Sequence, residues 1–396
     1  MFSDGVEASL GYVIRQFGSC SKLRRGPCAK ASIYSLHCCS FTHVYQPSLC
    51  TRTIKAPGLS AMAIKDGQSN EFQKLAYKSL SNYFQEHADE VIEIEILPPA
   101  IQPPDGITMQ DGSSLGIPKK VLALAYVEAR HLFFMKDQGT QDLLASSWAL
   151  QATKIILLFD PEHLTAANYR KRTLSLLRNE HGPHVGTPYH RALRQELCFL
   201  NSILTSPLHR QSKSPTLWYH RSNIVESLRL IELNDAPQDR IAEFWHSELA
   251  AVCKSGEQHP KNYHAWQYAR KLVHKIESHG LADDVARRVK DWCCRHPSDI
   301  SGWSFMLCLM PITAASLQQE LVGDVINYAI SLDCTQESLW IFIRTSLALS
   351  STTFLTSYQS LQAYKKDLEE TDRHPVAMER VCNAITWIDT HRQSGT

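Results

Sequence analysis

The sequence predicts an all-α fold, an α-α superhelix in which helical hairpins stack side by side as a solenoid. The first observation is a recurring stretch that contains a Trp, most complete in Lys261–Val273. The second is an amphipathic helical pattern ahead of each copy. The third is a short turn, usually containing Pro, that joins the two helices of each pair. Neither helix of such a hairpin can bury its apolar face alone, which is why hairpins of this kind occur in arrays.

The anchor position of each copy defines the repeat. The anchors are separated by 51, 48, 37 and 37 residues, and they are Ala167, Trp218, Trp266, Trp303 and Trp340. Insertions at Asn179–Thr187 and Asn234–Gln238 account for the two longer intervals. A tetratricopeptide array is excluded because its period is about 34 residues.

The remaining sequence extends the array at both ends, so that residues 66–396 form one helical-repeat domain. The final helices, near 357–370 and 375–391, would cap the array. Ahead of the repeats, the pattern predicts a helix over Phe72–Ala88, a Pro-rich connection over Leu97–Pro118, and helices over Val121–Phe134 and Leu143–Phe159.

Residues 1–65 differ in composition from the rest of the chain. They hold eight basic and two acidic residues and five of the twelve Cys, while Pro and Gly interrupt every possible helix. An Arg- and Ser-rich, acid-poor segment is typical of a transit peptide. A disordered leader or a misannotated start is the other interpretation, favoured because no amphipathic basic helix is evident.

Charge and composition exclude several classes of function. Residues 66–396 carry 33 basic and 38 acidic residues, and this net charge of −5 argues against nucleic acid as the main partner. The Cys show no C-x-x-C pair, which predicts reduced thiols and a cytoplasmic location. The sequence contains no apolar run of 18 residues, so it predicts no membrane span.

The Lys261–Arg270 stretch carries a family resemblance. Asn262-Tyr263-His264-Ala265-Trp266 followed by Arg270 resembles the repeat motif of protein prenyltransferase α-subunits, and Trp218 and Arg221 match its commoner Trp-x-x-Arg form. The resemblance extends over about Phe72–Leu349 and points to a divergent branch of the family. The last two repeats lack the Arg, since Met306 and Ile343 stand there.

The resemblance implies the α-type subunit of a heterodimeric transferase that is inactive alone. Such an enzyme moves an isoprenyl group, here geranylgeranyl rather than farnesyl, from its diphosphate to the Cys thiol of a protein with a C-terminal Cys. The resemblance also implies that a β-subunit holds the zinc, that this chain binds no cofactor, and that the isoprenyl diphosphate lies at the subunit seam. Lys261, Tyr263 and His264 are the catalytic candidates by motif position. A cation beside the departing diphosphate would stabilise the developing negative charge.

The other repeated residues are interpreted as structural. We expect Trp218, Trp266, Trp303 and Trp340 to fill the space between neighbouring hairpins. Arg170, Arg221 and Arg270 are expected to bond carbonyls and carboxylates of adjacent repeats, with substrate contact as the alternative.

A non-catalytic helical-repeat adaptor for protein–protein interaction is the alternative function, favoured by the altered motifs of the last two repeats. Two other motifs are set aside. The G-x-S-x-G stretch at Gly112–Gly116 is predicted to lie in a loop, whereas the hydrolase motif needs a strand followed directly by a helix. His181, His184 and His190 lack the acid or Cys that would complete a tetrahedral metal site.

Overall fold

The computed structural model describes residues 66–135, 147–349 and 354–393, which lie mostly in α-helices. The all-α prediction is confirmed, and the described residues from Asn70 onward form one compact unit. The predictions for residues 1–65, and the first residues of the helix predicted from Leu143, lie outside the described residues.

The prediction of an irregular connection over Leu97–Pro118 is wrong, because the chain forms a small sheet there. Its strands are β1 (Glu93–Leu97), β2 (Met109–Asp111) and β3 (Ser114–Pro118), in the order β1-β3-β2. Strand β1 is parallel and β2 antiparallel to β3. The side chains of Ile94 and Ile117 are fully buried, which explains why these short strands form despite the Pro and Gly around them.

The helices follow the predicted order, with one short addition. They are α1 (Asp66–Glu86), α2 (Lys119–Met135), α3 (Ser147–Phe159), α4 (Leu164–His181), α5 (Pro188–Leu204), α6 (His209–Ser212), α7 (Pro215–Glu232), α8 (Gln238–Gln258), α9 (Tyr263–Ser278), α10 (Ala282–Arg295), α11 (Ile300–Leu309), α12 (Ala315–Ser331), α13 (Glu337–Leu349), α14 (Leu355–Thr371) and α15 (Pro375–Gln393). A 3₁₀ turn, Met310–Ile312, follows α11.

The helices pair as the repeat predicts. The hairpins are α3/α4, α5/α7, α8/α9, α10/α11 and α12/α13, and α14/α15 follow them. The second helices contact one another in sequence from α4 through α7, α9, α11 and α13 to α15. The first helices do the same from α8 through α10 and α12 to α14. Each hairpin is therefore buried by its neighbours, as in other repeat arrays.

The unequal repeat lengths have a partly different origin from the one predicted. A loop at residues 182–187 separates α4 from α5, within the predicted first insertion. The short helix α6 lengthens the same interval. In the next repeat, much of the extra length lies in α8, which has 21 residues where α10 has 14. The Asn234–Gln238 insertion is therefore only part of the explanation.

The anchor Trp residues lie in the core between hairpins. Trp266 and Trp303 are fully buried, and Trp218 and Trp340 are at most 4% exposed. In three repeats the indole N–H donates to the carbonyl six residues earlier, over 2.7 to 3.0 Å. This bond fixes the turn ahead of the helix to the ring that fills the core, so the same side chain supplies both packing and turn geometry.

The Arg of the motif bridges successive repeats. Arg170 on α4 makes a two-pronged contact with Glu196 on α5, and Arg221 on α7 makes the same contact with Glu248 on α8. All four side chains are at most 5% exposed. Bidentate geometry of this kind is the strong form of the Arg–carboxylate pair. In this structure these guanidinium groups hold hairpins together and do not reach the surface.

The last two repeats replace that ion pair with apolar packing. Met306 and Ile343 stand at the Arg position and are fully buried. The Trp303 ring packs against Phe342 with ring centres 5.0 Å apart. A buried ion pair and a well-packed apolar contact can be equally stabilising. The altered motif therefore leaves the hairpin stack intact in these repeats.

Candidate functional site

The candidate site lies in the turn between α8 and α9. Helix α8 ends at Gln258, and Lys261 then adopts a left-handed backbone conformation with φ of 62°. This conformation is uncommon for a residue with a Cβ and needs support from the surroundings. The support comes from the next repeat, because the Lys261 backbone N–H donates to Asp299 Oδ2 over 2.6 Å.

Asn262 closes the turn and begins helix α9. Its side-chain oxygen accepts from the Ala265 N–H at 3.4 Å, as an N-cap does. Its amide nitrogen donates to the Ser212 carbonyl and to Ser255 Oγ at 3.0 and 2.9 Å. The side chain is fully buried, so Asn262 locks the turn to two other elements and is unavailable to a ligand.

The same kind of cap begins three other second helices. The capping side chains of α4, α7 and α11 are His163, Ser214 and Asp299, and each accepts a backbone N–H from the first turn of its helix. Asp299 therefore has two roles, since one oxygen caps α11 and the other holds Lys261. The turns of successive repeats are joined directly to one another.

The three catalytic candidates lie together at the N-terminus of α9. The side chain of Lys261 is exposed, Tyr263 is 60% exposed, and His264 is half-buried. The Tyr263 and His264 rings meet edge to face with centres 5.5 Å apart. No salt bridge involves Lys261 among the described residues. The turn thus presents a cation, a phenol and an imidazole to the surface on a backbone that is fixed from behind.

Tyr263 is one of a row of surface residues. The first position of the second helices holds Leu164, Pro215, Tyr263 and the half-buried Ile300 in four successive repeats, and the acidic Glu337 in the fifth. Leu164 is 62% exposed. Phe134 of α2 is 48% exposed, and its ring centre lies 6.2 Å from that of His163, the N-cap residue directly before Leu164. Exposed apolar residues in a row are typical of a protein-binding surface.

Arg270 differs from the other two motif Arg residues. It is half-buried, and its Nη2 donates to Ser304 Oγ of α11 at 2.8 Å. It follows Trp266 by four residues, whereas Arg221 follows Trp218 by three. Arg270 thus also bridges two repeats, but through a neutral hydroxyl and nearer the surface.

Trp266 also departs from its counterparts. Among the described atoms, its indole N–H has no hydrogen-bond partner, although the ring is fully buried. The residue six positions earlier is Pro260, directly ahead of Lys261. Because φ of Lys261 sets the orientation of the preceding peptide group, a left-handed residue directly after Pro260 distinguishes this turn. In the Trp340 turn the left-handed residue, Asp333, instead precedes the carbonyl that accepts the indole N–H. The Trp266 turn therefore lacks the bond from the indole N–H to the carbonyl six residues earlier, which the other three Trp turns contain.

Buried ionisable groups behind the second helices are structural. Burial alone would raise the pKa of Glu196, but the charge of Arg170 and the hydrogen bond from His220 hold that pKa well below its usual range. Burial lowers the pKa of Lys154 to about 8, and the nearby charge of Arg170 adds to the effect. Lys154 donates to the Phe84 carbonyl at 3.0 Å and so connects α3 to α1.

The two motifs set aside earlier have structural explanations. Ser114 begins strand β3 after a tight turn, so the G-x-S-x-G stretch is a hairpin and not the loop that was predicted. His190 accepts the Gly186 N–H and contacts Glu232 at 2.7 Å, which fixes the loop ahead of α5. Within the described residues, no three His, Cys, Asp or Glu side chains are grouped as metal ligands.

Two further results concern the wider chain. The seven Cys within the described residues are free thiols. Of the helices that the structure describes, none is both long enough and apolar enough to cross a bilayer.

Several residues that shape the site were not predicted. Asn262 belongs to the motif, but the sequence did not identify it as the buried residue that fixes the turn, although its place four residues before Trp266 is typical of an N-cap. Glu196, Glu248 and Asp299 are carboxylates whose roles depend on partners 26 to 38 residues away. No local signal marks such pairs.

Comparison with known proteins relates this geometry to two groups. Residues 218–330 match the family model described as the ECM9 middle domain. The chain is 28% identical over 186 residues to the geranylgeranyl transferase type-2 subunit alpha of Rattus norvegicus, covering 47% of this chain and 29% of that protein. It is 25% identical over 206 residues to the Saccharomyces cerevisiae subunit of the same name, covering 50% of this chain and 57% of that protein.

A third relative is Protein ECM9 of Saccharomyces cerevisiae, 25% identical over 193 residues, or 48% of each chain. The matched region spans less than two thirds of the length of each of these relatives. Over roughly half of its length, then, the chain is similar to α-subunits of a geranylgeranyl transferase and to ECM9.

Proposed function

We propose that this chain is the α-type subunit of a heterodimeric protein prenyltransferase, and that its partner is a β-type subunit. The proposed reaction transfers a geranylgeranyl group from its diphosphate to a Cys thiol near the C-terminus of a protein. The observation that carries the proposal is the turn Lys261–His264. It retains the motif residues, exposes Lys261 and Tyr263 on a backbone held by Asn262 and Asp299, and belongs to a chain similar to geranylgeranyl transferase α-subunits.

The chemistry accounts for a cation in this position. When the thiolate attacks the isoprenyl carbon, the C–O bond to the diphosphate breaks and negative charge grows on the diphosphate oxygens. Lys261 would stabilise that charge more in the transition state than in the ground state. Tyr263 and His264 would donate hydrogen bonds to the same oxygens or to the protein substrate. The partner subunit would supply the zinc that activates the thiol.

The exposed row of the second helices supports the heterodimer. Leu164 and Tyr263 are more than half exposed in the isolated chain, at 62% and 60%. A β-type subunit seated on this face would cover the apolar row and bring the isoprenyl diphosphate to the Lys261 turn.

The first test is assembly and transfer. The full chain is co-expressed with a β-type prenyltransferase subunit from the same organism and purified. Transfer is then measured with tritiated geranylgeranyl diphosphate and a protein that ends in Cys. We expect a 1:1 complex that transfers the label, while neither subunit does so alone. Failure to form a complex with any β-type subunit of that organism would refute the proposal.

The second test concerns Lys261. The variant Lys261→Gln keeps the backbone contact to Asp299, so the complex should assemble normally. Without the cation, transfer should slow by at least about tenfold. Lys74→Gln, at an exposed position on α1, is the matched control and should transfer at the original rate. Equal rates for all three proteins would remove Lys261 from the site without refuting the subunit assignment.

A non-catalytic adaptor is the second candidate, because the chain is also similar to Protein ECM9, whose name specifies no transferase activity. The altered motifs of the last two repeats no longer count toward it, because Met306 and Ile343 are well-packed core residues. An assembled complex that lacks transfer activity on every Cys-ended protein tested would favour the adaptor.

A further inference from the structure

A cationic cluster that the proposed reaction does not use lies on the exposed face of three neighbouring second helices. Tyr219 of α7 is 57% exposed. The ammonium group of Lys171 on α4 lies 5.0 Å from the centre of its ring, and that of Lys271 on α9 lies 5.9 Å from it. Helix α7 contacts both α4 and α9, so the packing of the array brings the two Lys side chains to one ring.

The two positive charges are not neutralised by the chain itself. Within the residues that the structure describes, neither ammonium group has a carboxylate at ion-pair distance. On α7, the exposed carboxylate of Glu226 already pairs with Arg229 at 2.6 Å. Interaction with an aromatic face contributes only about 0.5–1 kcal/mol at an exposed site, so the ring orients the two cations without satisfying them.

Two cations beside one exposed ring create a local positive potential, and neighbouring carboxylates of a partner would be attracted to both. The positive charge of this cluster contrasts with the domain as a whole, since residues 66–396 carry a net charge of −5. The exposure of the Tyr219 ring shows that the cluster lies on an open surface and not in an enclosed cavity. Small molecules prefer concave sites, whereas open charged surfaces suit the side chains of another protein.

We propose that the Lys171–Tyr219–Lys271 cluster binds neighbouring carboxylates of an acidic segment on a protein partner. The Tyr219 hydroxyl is available as an additional donor at the centre of the cluster. The charge and geometry of this cluster are the same whether or not the chain is a transferase subunit.

The test measures binding of a fluorescein-labelled hexaglutamate peptide to the full chain by fluorescence anisotropy. We expect saturable binding that weakens as salt is raised, because the contacts are solvent-exposed ion pairs. The variant Lys171→Gln/Lys271→Gln should bind about tenfold more weakly, which corresponds to about 1.4 kcal/mol. Tyr219→Ala should also weaken binding, because the two Lys side chains then lose the ring that holds them together.

The matched control is Lys74→Gln/Lys78→Gln, which removes two exposed Lys residues four positions apart on α1. It should bind the peptide within about twofold of the original protein. The proposal is overturned if this control weakens binding as much as the cluster variant, or if the cluster variant binds as the original does. Displacement of the label by inorganic diphosphate at lower concentrations than unlabelled hexaglutamate would also overturn it, in favour of a small-anion site.

Discussion

Replacing Arg221 by Met tests whether the motif Arg is structural. Met is the residue that the Trp303 repeat carries at the same position, where Met306 is fully buried. In the present structure Arg221 Nη1 lies 2.5 Å from Glu248 Oε2, Nη2 lies 3.1 Å from Oε1, and Nε donates to Asn201 at 2.9 Å. The substitution removes all three bonds but preserves most of the side-chain volume.

The expected loss follows from the carboxylate left behind. Glu248 is 2% exposed and would keep only the hydroxyl of Tyr268 as a donor. Removing one partner of a buried ion pair costs about 3–5 kcal/mol, because the other charge stays buried without compensation. Adding Glu248→Gln to Arg221→Met removes that charge, and the Gln carbonyl oxygen can still accept the Tyr268 hydroxyl. The double variant should therefore regain at least about half of the lost free energy of unfolding.

Urea unfolding, followed by far-UV circular dichroism and Trp fluorescence, measures these free energies. The control is Arg229→Met, which breaks a partly exposed pair with Glu226 about two turns further along the same helix and should cost less than about 1 kcal/mol. The structural role is refuted if Arg221→Met costs no more than this control. It is also refuted if the double variant is no more stable than Arg221→Met alone.

Two other predictions concern the core. Burial lowers the pKa of Lys154 from 10.5 to about 8, so the charged form of this side chain is disfavoured in the folded state. The free energy of unfolding should therefore rise by roughly 3 kcal/mol between pH 8 and pH 10.5, as the unfolded chain holds this proton longer. Lys154→Met should abolish that rise in urea unfolding curves at pH 7.5, 8.5 and 9.5, and an unchanged pH dependence would contradict it. Gly256→Ala should destabilise the protein by about 1–3 kcal/mol, because the new Cβ would lie 2.9 Å from the Trp292 ring. Gly323→Ala, with open space around it inside α12, should instead stabilise by about 0.5–1 kcal/mol, and equal effects would contradict the packing argument.

The hairpin array was predictable because its signals are local and repeated. A Trp, a Pro-containing turn and an apolar stripe recur within each repeat, and the structure places Trp218, Trp266, Trp303 and Trp340 in the core between hairpins. The turn that contains Lys261 was found in the same way, from adjacent residues. The sequence did not show which side chains of this turn are exposed and which are buried, since Asn262 and Tyr263 are both polar residues in the same short stretch.

The small sheet was missed for the opposite reason, because its strands have only three to five residues. Strand β1 does alternate polar and apolar residues, as Glu93-Ile94-Glu95-Ile96, but so short a run is a weak signal. Every residue of β2 is exposed, so no alternation marks that strand. Whether so short a segment forms a strand depends on what it pairs with. Here the parallel pairing of Glu93 with Ser114 joins residues separated by a long loop. The buried partners of the motif Arg residues were missed likewise, because an isolated Glu on a helix is usually at the surface.

The bonds between turns also bear on how the chain folds as it leaves the ribosome. The Pro161 carbonyl accepts from Ser214, the Lys261 N–H donates to Asp299, and the Pro297 carbonyl accepts from Ser338. In each case the partner lies in the following repeat. During synthesis, the most recent turn therefore keeps an unsatisfied polar group until the next hairpin has emerged and docked. Elongation would complete the array one turn at a time, and the most recently folded hairpin would be the least stable part of the nascent array.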